Sequence, residues 1–230
     1  QDIVGQFANL SFDASIWEIL MALFTGAQLH IIPDVILADM DAFPGYVSQQ
    51  NITFLTIPPH YAACLNPNDF PGLNTLITAG APATLEIMKK WSERINYVNA
   101  YGPTETSICA AALILAKGTF CEKQVTIGYP ILDYKIDLVD KEGRPVAENQ
   151  AGEIVIAGEC VALGYLNQSG LTEKHFKLGA DHQLRFYTGD IGLRTDSGKI
   201  KFLGRADTQI KLRGYRIELD EIKKAIQGVA

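Results

Sequence analysis

A segment near the middle of the chain, VNAYGPTETSIC at positions 98 to 109, combines residue types that handle phosphate. Gly102 tolerates backbone angles that other residues avoid, and Pro103 fixes its own φ, so this pair predicts a stiff turn. Thr104 and Glu105 follow where a helix can begin, which presents a hydroxyl, backbone N–H groups and a carboxylate together. Helix starts attract phosphate, and a carboxylate beside phosphate indicates a divalent cation between them. The alternative from these residues alone is an ordinary loop with a threonine N-cap.

A second carboxylate, Asp190, closes the segment TGD, which is predicted to end a strand. In isolation this pattern favours a turn aspartate. The functional alternative is a carboxylate that accepts both hydroxyls of a ribose. The chain contains neither GxxxxGK[ST] nor GxGxxG, so the phosphate-binding loop and the dinucleotide-binding fingerprint are both excluded.

The composition limits the classes of protein to which the chain can belong. Its 230 residues are 47% hydrophobic and 20% charged, which suits one large domain or two small ones. The net charge is −6 and the basic residues are dispersed, which argues against a nucleic-acid surface. The most apolar helical run, IWEILMALF, is too short to span a bilayer and contains Glu18, so no membrane partner is expected.

The four cysteines show no CxxC spacing and no clustering with histidine, which argues against zinc and against a dense disulfide framework. A reducing, cytoplasmic setting fits this pattern. The chain starts at Gln1 without a signal-like segment and stops within a helical pattern, so we expect a piece of a longer protein.

The first part of the chain alternates helical and strand patterns, as a doubly wound α/β fold does. SIWEILMALFTGAQ is helical, with Ser15 and Glu18 spaced as a capping box and Gly26 at its end. LHIIP, ITFLTIP and TLITAG are short apolar runs that end in Pro or Gly, as buried parallel strands do. ATLEIMKKWSERI predicts an amphipathic helix before the strand NYVNAYG. Sites collect at the carboxyl ends of such strands, so TIPPHY, TAGAPAT and NAYGPTE should converge.

From about residue 115 the pattern changes to short alternating strands with Gly, Asn and Asp turns. DYKIDLVD, GEIVIAG, LRFYTGD and GKIKFLGR predict a small β-barrel or sandwich, and TQIKLRGYRIEL predicts a hairpin followed by a helix start at DEI. The expected divisions are an α/β subdomain over 1–114, a β-rich subdomain over 115–207 and the start of a further small domain over 208–230.

Five motifs, in this order and spacing, resemble the adenylation domains of nonribosomal peptide synthetases: FDASIWEI, NAYGPTE, GEIVIAGECVALGYLN, FYTGD and GRADTQIKLRGYRIEL. These domains belong with the acyl-CoA ligases and luciferases to the adenylate-forming superfamily, and the resemblance covers essentially the whole chain. It is closest to the phenylalanine-activating domains. The resemblance implies a flavodoxin-like parallel sheet, then a small β-barrel-like subdomain and the beginning of a small C-terminal α+β domain, with the hinge at Asp207.

The resemblance also implies a nucleotide site. Thr104 would contact the α-phosphate, Glu105 would hold Mg²⁺, and Asp190 would take the ribose hydroxyls. Tyr101 would lie against adenine and Arg205 would approach the nucleotide. The other implied nucleotide contacts are Gly80, Ala81, Pro82, Asn99, Ala100 and Gly102.

Asp13 follows Phe12 at the start of the first helix, where an N-cap role would be unremarkable. Its apolar neighbours suggest instead a buried carboxylate that needs a cation, because an unpaired buried charge is costly. The resemblance supplies that cation as the α-ammonium of an amino acid. It places the rest of the pocket at Ala14, Trp17, Thr56, Ile77, Ala79, Ala100, Ile108 and Cys109. Their apolar character favours phenylalanine, and only Thr56 and Cys109 offer a polar group.

The implied activity joins an amino acid to ATP, giving aminoacyl-AMP and pyrophosphate, ahead of transfer to the phosphopantetheine of a carrier protein. Carrier-protein and condensation domains of the same assembly line are the implied partners. The family's phosphate-gripping loop and C-terminal lysine lie outside this sequence, so we expect the chain alone to be inactive. Leu163 replaces a usual arginine and Phe202 a frequent tyrosine. A non-catalytic binding piece and an acyl-CoA-type ligase stay open as alternatives, and Asp13 argues against the second.

Overall fold

The computed structural model describes residues 1–212 and 215–227, and it divides the chain into two compact units, residues 1–128 and 129–230. The boundary lies later than the expected division at residue 114. The first unit is an α/β sandwich and the second is built mainly from antiparallel strands. The α/β architecture predicted from the alternating patterns is therefore observed in the first unit.

The first unit contains six strands and five α-helices in the described part of the chain. The strands are β1 (Ile3–Gln6), β2 (Gln28–Ile31), β3 (Phe54–Ile57), β4 (Thr75–Thr78), β5 (Asn96–Tyr101) and β6 (Ala111–Leu115). The helices are α1 (Asp13–Thr25), α2 (Asp34–Leu37), α3 (Ala42–Gln49), α4 (Pro59–Cys64) and α5 (Leu85–Ser92), and short 3-10 turns span Pro67–Asp69 and Thr104–Thr106.

The sheet order β2-β1-β3-β4-β5-β6 explains where a ligand can bind. The first five strands are parallel and β6 is antiparallel to β5. The chain leaves β1 towards β2 on one side and later fills β3, β4 and β5 on the other. The strand order therefore reverses between β1 and β3, and in open α/β sheets a crevice forms at that point, outside the carboxyl ends of the strands.

An apolar core holds this unit together. Its largest fully buried side chains include Trp91, Tyr97, Phe43 and Phe70. The Trp91 ring packs against Phe70 at 5.6 Å, and its Nε1 donates to the carbonyl of Ala62 at 3.1 Å. Because both faces of the central strands are covered, β4 is buried along its whole length.

The start of α1 differs from the predicted capping box. Phe12 is the N-cap residue and has no capping side chain, so the helix begins at Asp13. The Ser15 hydroxyl donates to the Phe12 carbonyl at 2.8 Å, while the Glu18 carboxylate accepts from the backbone of the loop that precedes the helix. The spacing of Ser15 and Glu18 matches a capping box, but the Glu18 carboxylate binds the loop before the helix and not the helix end. Gly26 ends the helix as predicted, with φ 70° and its N–H on the Ala22 carbonyl.

The second unit contains the strands β7 (Tyr129–Pro130), β8 (Lys135–Val139), β9 (Ala151–Ala157), β10 (Phe176–Leu178), β11 (Leu184–Arg194) and β12 (Ile200–Arg205), with helix α6 (Ser169–His175). Strands β10-β11-β9-β8 form an antiparallel sheet, and β12 also pairs with β11. The predicted hairpin is present as β13 (Gln209–Leu212) and β14 (Tyr215–Glu218), followed by α7 (Leu219–Gln227).

The TGD segment does not end a strand, contrary to the prediction. β11 continues through Thr188 and Asp190, and its register with β9 shifts between Tyr187 and Ile191. The Thr188 hydroxyl donates to the Ile154 carbonyl at 2.7 Å and accepts from the Asp190 N–H at 2.9 Å. A bulge therefore presents Asp190 from within a continuous strand.

Candidate active site

The first feature of the site is a hydrogen bond between two predicted residues that lie 91 positions apart. The Thr104 hydroxyl donates to Oδ2 of Asp13 at 2.6 Å. Asp13 opens α1, the helix after β1, and Thr104 follows β5, so the contact lies at the carboxyl ends of the parallel strands. The sequence predicted convergence of the segments after three strands, and this contact brings the start of α1 to one of them.

This contact corrects the expected surroundings of Asp13. Its side chain is half-buried, and its carboxylate accepts from a hydroxyl, so it is not a fully buried and unpaired charge. Because Asp13 stands in the first turn of α1, the helix dipole also favours its negative charge.

The turn after β5 is tighter than predicted. Residues Thr104–Thr106 form a single 3-10 turn with Pro103 as its N-cap, so no α-helix begins there and no helix dipole points at a phosphate. Thr104 is exposed, whereas Glu105 is 7% exposed and Thr106 is fully buried. The Thr106 hydroxyl donates to the Pro103 carbonyl at 3.1 Å, which fixes the turn from inside.

Gly102 is required for packing, and its backbone angles are ordinary: its φ is not positive. A Cβ atom there would lie 2.5 Å from the Ile108 carbonyl oxygen and 2.7 Å from Cα of Cys109. The turn and the segment at 108–110 therefore pack backbone against backbone. This packing connects the predicted phosphate contact to the predicted substrate pocket.

Glu105 is suited to help hold Mg²⁺ but not to hold it alone. Within residues 1–212 and 215–227, no group of three or more His, Cys, Asp or Glu side chains is placed to bind a metal. Mg²⁺ is commonly bound by one or two carboxylates together with substrate phosphates. The donor set of one carboxylate beside an exposed hydroxyl fits that kind of site.

The predicted substrate pocket draws its residues from several strand ends. Thr56 on β3 and Ile77 on β4 are register partners, and both are buried. Ala100 near the end of β5 is 8% exposed, while Ala14 and Trp17 on α1 are half-buried. The remaining predicted residues, Ala79, Ile108 and Cys109, belong to the same unit.

The polar side-chain atoms of Trp17, Thr56 and Cys109 are buried in this structure. Nε1 of Trp17 and Oγ1 of Thr56 are buried without a hydrogen-bond partner among the described residues. The Cys109 thiol donates to the Ala111 carbonyl at 3.3 Å, and burial raises the pKa of Cys109 to about 11, so the thiol is neutral.

Ile108 has an uncommon backbone. Its φ is 77°, and the Cys109 N–H donates to the Ser107 carbonyl at 2.9 Å across it. This is the rare form of γ-turn, whose central residue has φ near about +75°. A β-branched residue with positive φ is a genuine outlier, and such strain clusters at functional sites.

The other predicted nucleotide contacts surround the ends of β4 and β5. Gly80, at φ 83°, and Pro82 are exposed, Ala81 is partly exposed and Tyr101 is half-buried. Asn99 is 4% exposed, and its side-chain NH₂ donates to the Thr126 carbonyl at 2.8 Å. That bond fixes the orientation of the amide and leaves its carbonyl oxygen as an acceptor.

Asp190, Arg205 and Asp207 form one ionic network in the second unit. Arg205 Nη1 contacts Asp190 at 2.7 Å, and its Nε donates to Asp207 at 2.7 Å. Burial lowers the pKa of Arg205, but the hydrogen bond and charge of Asp207 and the charge of Asp190 outweigh it and raise the pKa. Gly189, at φ 73°, leaves room for this network, because a Cβ would lie 2.9 Å from Arg205 Nη2.

Sequence reasoning missed two features of the site. The hydrogen bond between Asp13 and Thr104 joins distant positions, and no local pattern reports it. Glu18 was interpreted as a cap, although its position inside an otherwise apolar helix signalled a buried acid.

Leu163, which replaces the usual arginine, is 92% exposed and Phe202 is partly exposed.

Comparisons with known proteins identify the family of the chain. A family profile described as "AMP-binding enzyme" matches residues 1–166. The chain is 41% identical over 228 residues to gramicidin S synthase 1 of Brevibacillus brevis. It is 39% identical over 228 residues to tyrocidine synthase 1 of Brevibacillus parabrevis. Each alignment covers 98% of this chain and 21% of the relative, so the chain spans about a fifth of their length.

Two solved structures share the fold. The adenylation domain AlmE of Vibrio cholerae, in complex with glycyl-adenosine-5'-phosphate, matches with a TM-score of 0.88 and 26% identity over 100% of this chain and 45% of that chain. Holo-PA1221, an NRPS protein containing adenylation and PCP domains, matches with a TM-score of 0.88 and 28% identity over 99% of this chain and 41% of that chain. The predicted fold class is confirmed. No described helix is long and apolar enough to cross a membrane.

Proposed function

Because this chain belongs to the AMP-binding enzyme family, we propose that it carries the amino-acid-selecting part of an adenylation domain in a nonribosomal peptide synthetase. The reaction joins an amino acid to ATP, giving aminoacyl-AMP and pyrophosphate. A carrier protein of the same assembly line would receive the aminoacyl group on its phosphopantetheine. The aminoacyl adenylate bound to AlmE and the PCP domain of PA1221 support this assignment.

The observation that carries the proposal is the contact between Asp13 and Thr104. Asp13 would bind the α-ammonium of the substrate, and Thr104 would donate to an oxygen of the α-phosphate. Since the two side chains lie within one hydrogen bond, the amino acid and the nucleotide would meet at the same strand ends. Such positioning brings the substrate carboxylate close to the phosphorus that it attacks.

In the reaction a carboxylate oxygen forms a bond to the α-phosphorus, and the bond to the bridging oxygen of pyrophosphate breaks. The pyrophosphate leaves with the electron pair, and no proton transfer is needed. Mg²⁺, when bound, would neutralise charge on the phosphate oxygens, and Glu105 would help to hold it. Thr104 would stabilise the same developing charge by turning its one hydroxyl hydrogen from Asp13 to a phosphate oxygen. Asp190 would accept from the ribose hydroxyls, with Arg205 holding that carboxylate in place.

Phenylalanine is the proposed substrate. Trp17, Ile77 and Ile108 offer apolar surface, and the small side chains Ala79 and Ala100 leave depth for a ring. Because one methylene in an apolar pocket typically changes discrimination by only about 10- to 200-fold, tyrosine, tryptophan and leucine should be activated weakly. A substrate panel in which an acidic or basic amino acid leads would contradict this assignment.

The function is tested by amino-acid-dependent pyrophosphate exchange in the full-length protein. Asp13→Ala should lower exchange with phenylalanine by about 100-fold or more, because the ammonium loses its counter-ion. Binding of ATP, measured by calorimetry, should change little. Asp34→Ala is the matched control, since Asp34 also opens a helix, α2, but is exposed. If both variants retain exchange, Asp13 does not bind the substrate and the proposal is wrong.

A further inference from the structure

Glu18 is a charged residue that the proposed reaction does not use. It lies on α1, and its side chain is fully buried. The carboxylate accepts hydrogen bonds from the loop that joins β1 to α1: Oε2 accepts from the N–H of Phe7 and of Ala8, each at 3.1 Å. Its Oε1 lies 3.3 Å from the same Ala8 N–H. The acid therefore binds the beginning of this loop from the side of the helix.

The loop leads directly to Asp13. β1 ends at Gln6 and α1 begins at Asp13, so residues 7–12 alone connect the strand to Asp13, the residue proposed to bind the α-ammonium of the substrate. Phe7 and Ala8 lie beyond the strand, where the ladder no longer supplies partners for their N–H groups. Buried or half-buried N–H groups without an acceptor are costly, so a side chain must supply one. Glu18 does so for two consecutive residues.

Other side chains fix the same loop at both ends. Nε2 of Gln6 donates to the Ala8 carbonyl, and the Ser15 hydroxyl donates to the Phe12 carbonyl at 2.8 Å. The Phe12 N–H also donates to the Asn9 carbonyl at 2.9 Å. The loop is therefore held by residues of β1, of α1 and of the loop itself, with Glu18 as its one charged acceptor among these contacts.

We propose that Glu18 is a positioning residue for amino-acid binding, which holds the β1–α1 loop and thereby sets Asp13 against Thr104. This inference rests on the proposed function for the role of Asp13. Glu18 does not touch substrate; it acts through the loop backbone. A carboxyl group suits this task because one of its oxygens accepts from both N–H groups.

The burial of this acid supports the inference. Desolvation raises the pKa of Glu18 to about 7, although the N–H groups of Ala8 and Phe7 and the Gln6 side chain act in the opposite direction. A methionine or leucine would avoid this desolvation but would leave the N–H groups of Phe7 and Ala8 without an acceptor. The buried acid is therefore tied to the loop that it holds.

The kinetic test separates the two substrates in the full-length protein. Glu18→Ala should raise KM for the amino acid by about 10- to 100-fold, because Asp13 moves when its loop loosens. KM for ATP should stay within about twofold. Glu18→Gln keeps a carbonyl oxygen that both N–H groups can use, and it should return the KM for the amino acid to near the wild-type value.

Two further variants control for loss of folding. Ile87→Val trims a buried residue of α5 outside the site and should leave both KM values unchanged. If Glu18→Ala does not fold, Glu18→Asp decides, because it keeps the acid but cannot reach Phe7 and Ala8. Glu18→Asp should then show the raised KM for the amino acid. Equal rises in both KM values, or no rise in a folded variant, would overturn the inference.

Hydrogen exchange tests the structural part independently of activity. In Glu18→Ala, amide exchange of residues 3–12 should accelerate by about 10-fold or more, whereas Glu18→Gln should match the wild type. If the wild-type protein activates no amino acid, the proposed function fails while this measurement still reports on the loop. Unchanged exchange in Glu18→Ala would show that Glu18 does not hold the loop.

Discussion

At the scale of single residues, the titration of Glu18 links pH to stability. Its pKa is raised from 4.5 to about 7 on folding, so the unfolded chain releases this proton at lower pH than the folded chain does. The stabilisation by protonated Glu18 is complete below pH 4.5 and is lost as pH rises through 7. The groups that face the carboxylate are backbone N–H groups and the Gln6 amide, which do not titrate in this range.

The expected consequence is measured against Glu18→Gln, which does not titrate. The free energy of unfolding of the wild type, relative to this variant, should fall by about 3 kcal/mol between pH 4.5 and about pH 8 and then stay level. Urea unfolding across this range gives the difference directly, since the other groups titrate alike in both proteins. Parallel stability curves for the two proteins would contradict the raised pKa.

The second residue-scale prediction concerns Thr56, whose buried hydroxyl has no partner among the described residues. Thr56→Val should leave stability unchanged or raise it by about 1 kcal/mol, because an unsatisfied buried hydroxyl is replaced by a methyl group. Thr78→Val is the matched control: the Thr78 hydroxyl lies 2.6 Å from the Tyr97 hydroxyl, so its loss should cost about 1–2 kcal/mol. The denaturant midpoints of the two variants test this difference. Equal losses of stability in both variants would mean that the Thr56 hydroxyl is hydrogen-bonded in solution.

At the scale of elements, Gly102 connects the turn after β5 to the segment at 108–110. Gly102→Ala should destabilise the protein by about 1–3 kcal/mol, because the new methyl group meets backbone atoms that cannot rotate away. It should also weaken the binding of both ATP and the amino acid, since Thr104 and Ile108 lie on the two sides of the contact. Gly45→Ala, on helix α3 with open space around it, should instead stabilise by about 0.5–1 kcal/mol. Thermal melts and KM values of both variants test the pair.

The elements also show how far the sequence predicts this fold. The buried strands β3, β4 and β5 and the helices α1 and α5 follow from apolar runs bounded by Pro and Gly, and the structure contains each of them. β1 was not predicted, because Gly5 and Gln6 interrupt the apolar run in its sequence, IVGQ. The capping box failed since Glu18 has a tertiary partner. Convergence at the strand ends was predictable; the contact of Asp13 with Thr104 and the tight turn at 104–106 depend on packing that local patterns do not encode.

At the scale of the whole chain, the two compact units have separate apolar cores. The first core includes Trp91, whereas a smaller cluster in the second unit contains Phe176 and Phe186. Both tryptophans of the sequence, Trp17 and Trp91, belong to the first unit. Tryptophan fluorescence therefore reports unfolding of that unit alone.

Phe186→Ala should destabilise the second unit by about 3–5 kcal/mol, because it empties a fully buried ring position. The transition followed by circular dichroism should acquire an earlier step, while the fluorescence midpoint stays in place. Leu76→Ala, in the first core, should have the opposite pattern and shift the fluorescence midpoint. Fluorescence that shifts equally with Phe186→Ala would show that the units unfold as one.

The γ-turn at Ile108 has a consequence for how substrate choice can diverge. A side chain at φ 77° is strained, and glycine or asparagine would relieve that strain. A library at this position selected for folding alone should therefore be enriched in those two residues. The same library selected for phenylalanine activation should keep a branched apolar side chain. Substitutions that broaden the substrate range would then also stabilise the protein. Loss of selectivity would therefore cost no stability, and the selective pocket would persist only under continued selection for the product.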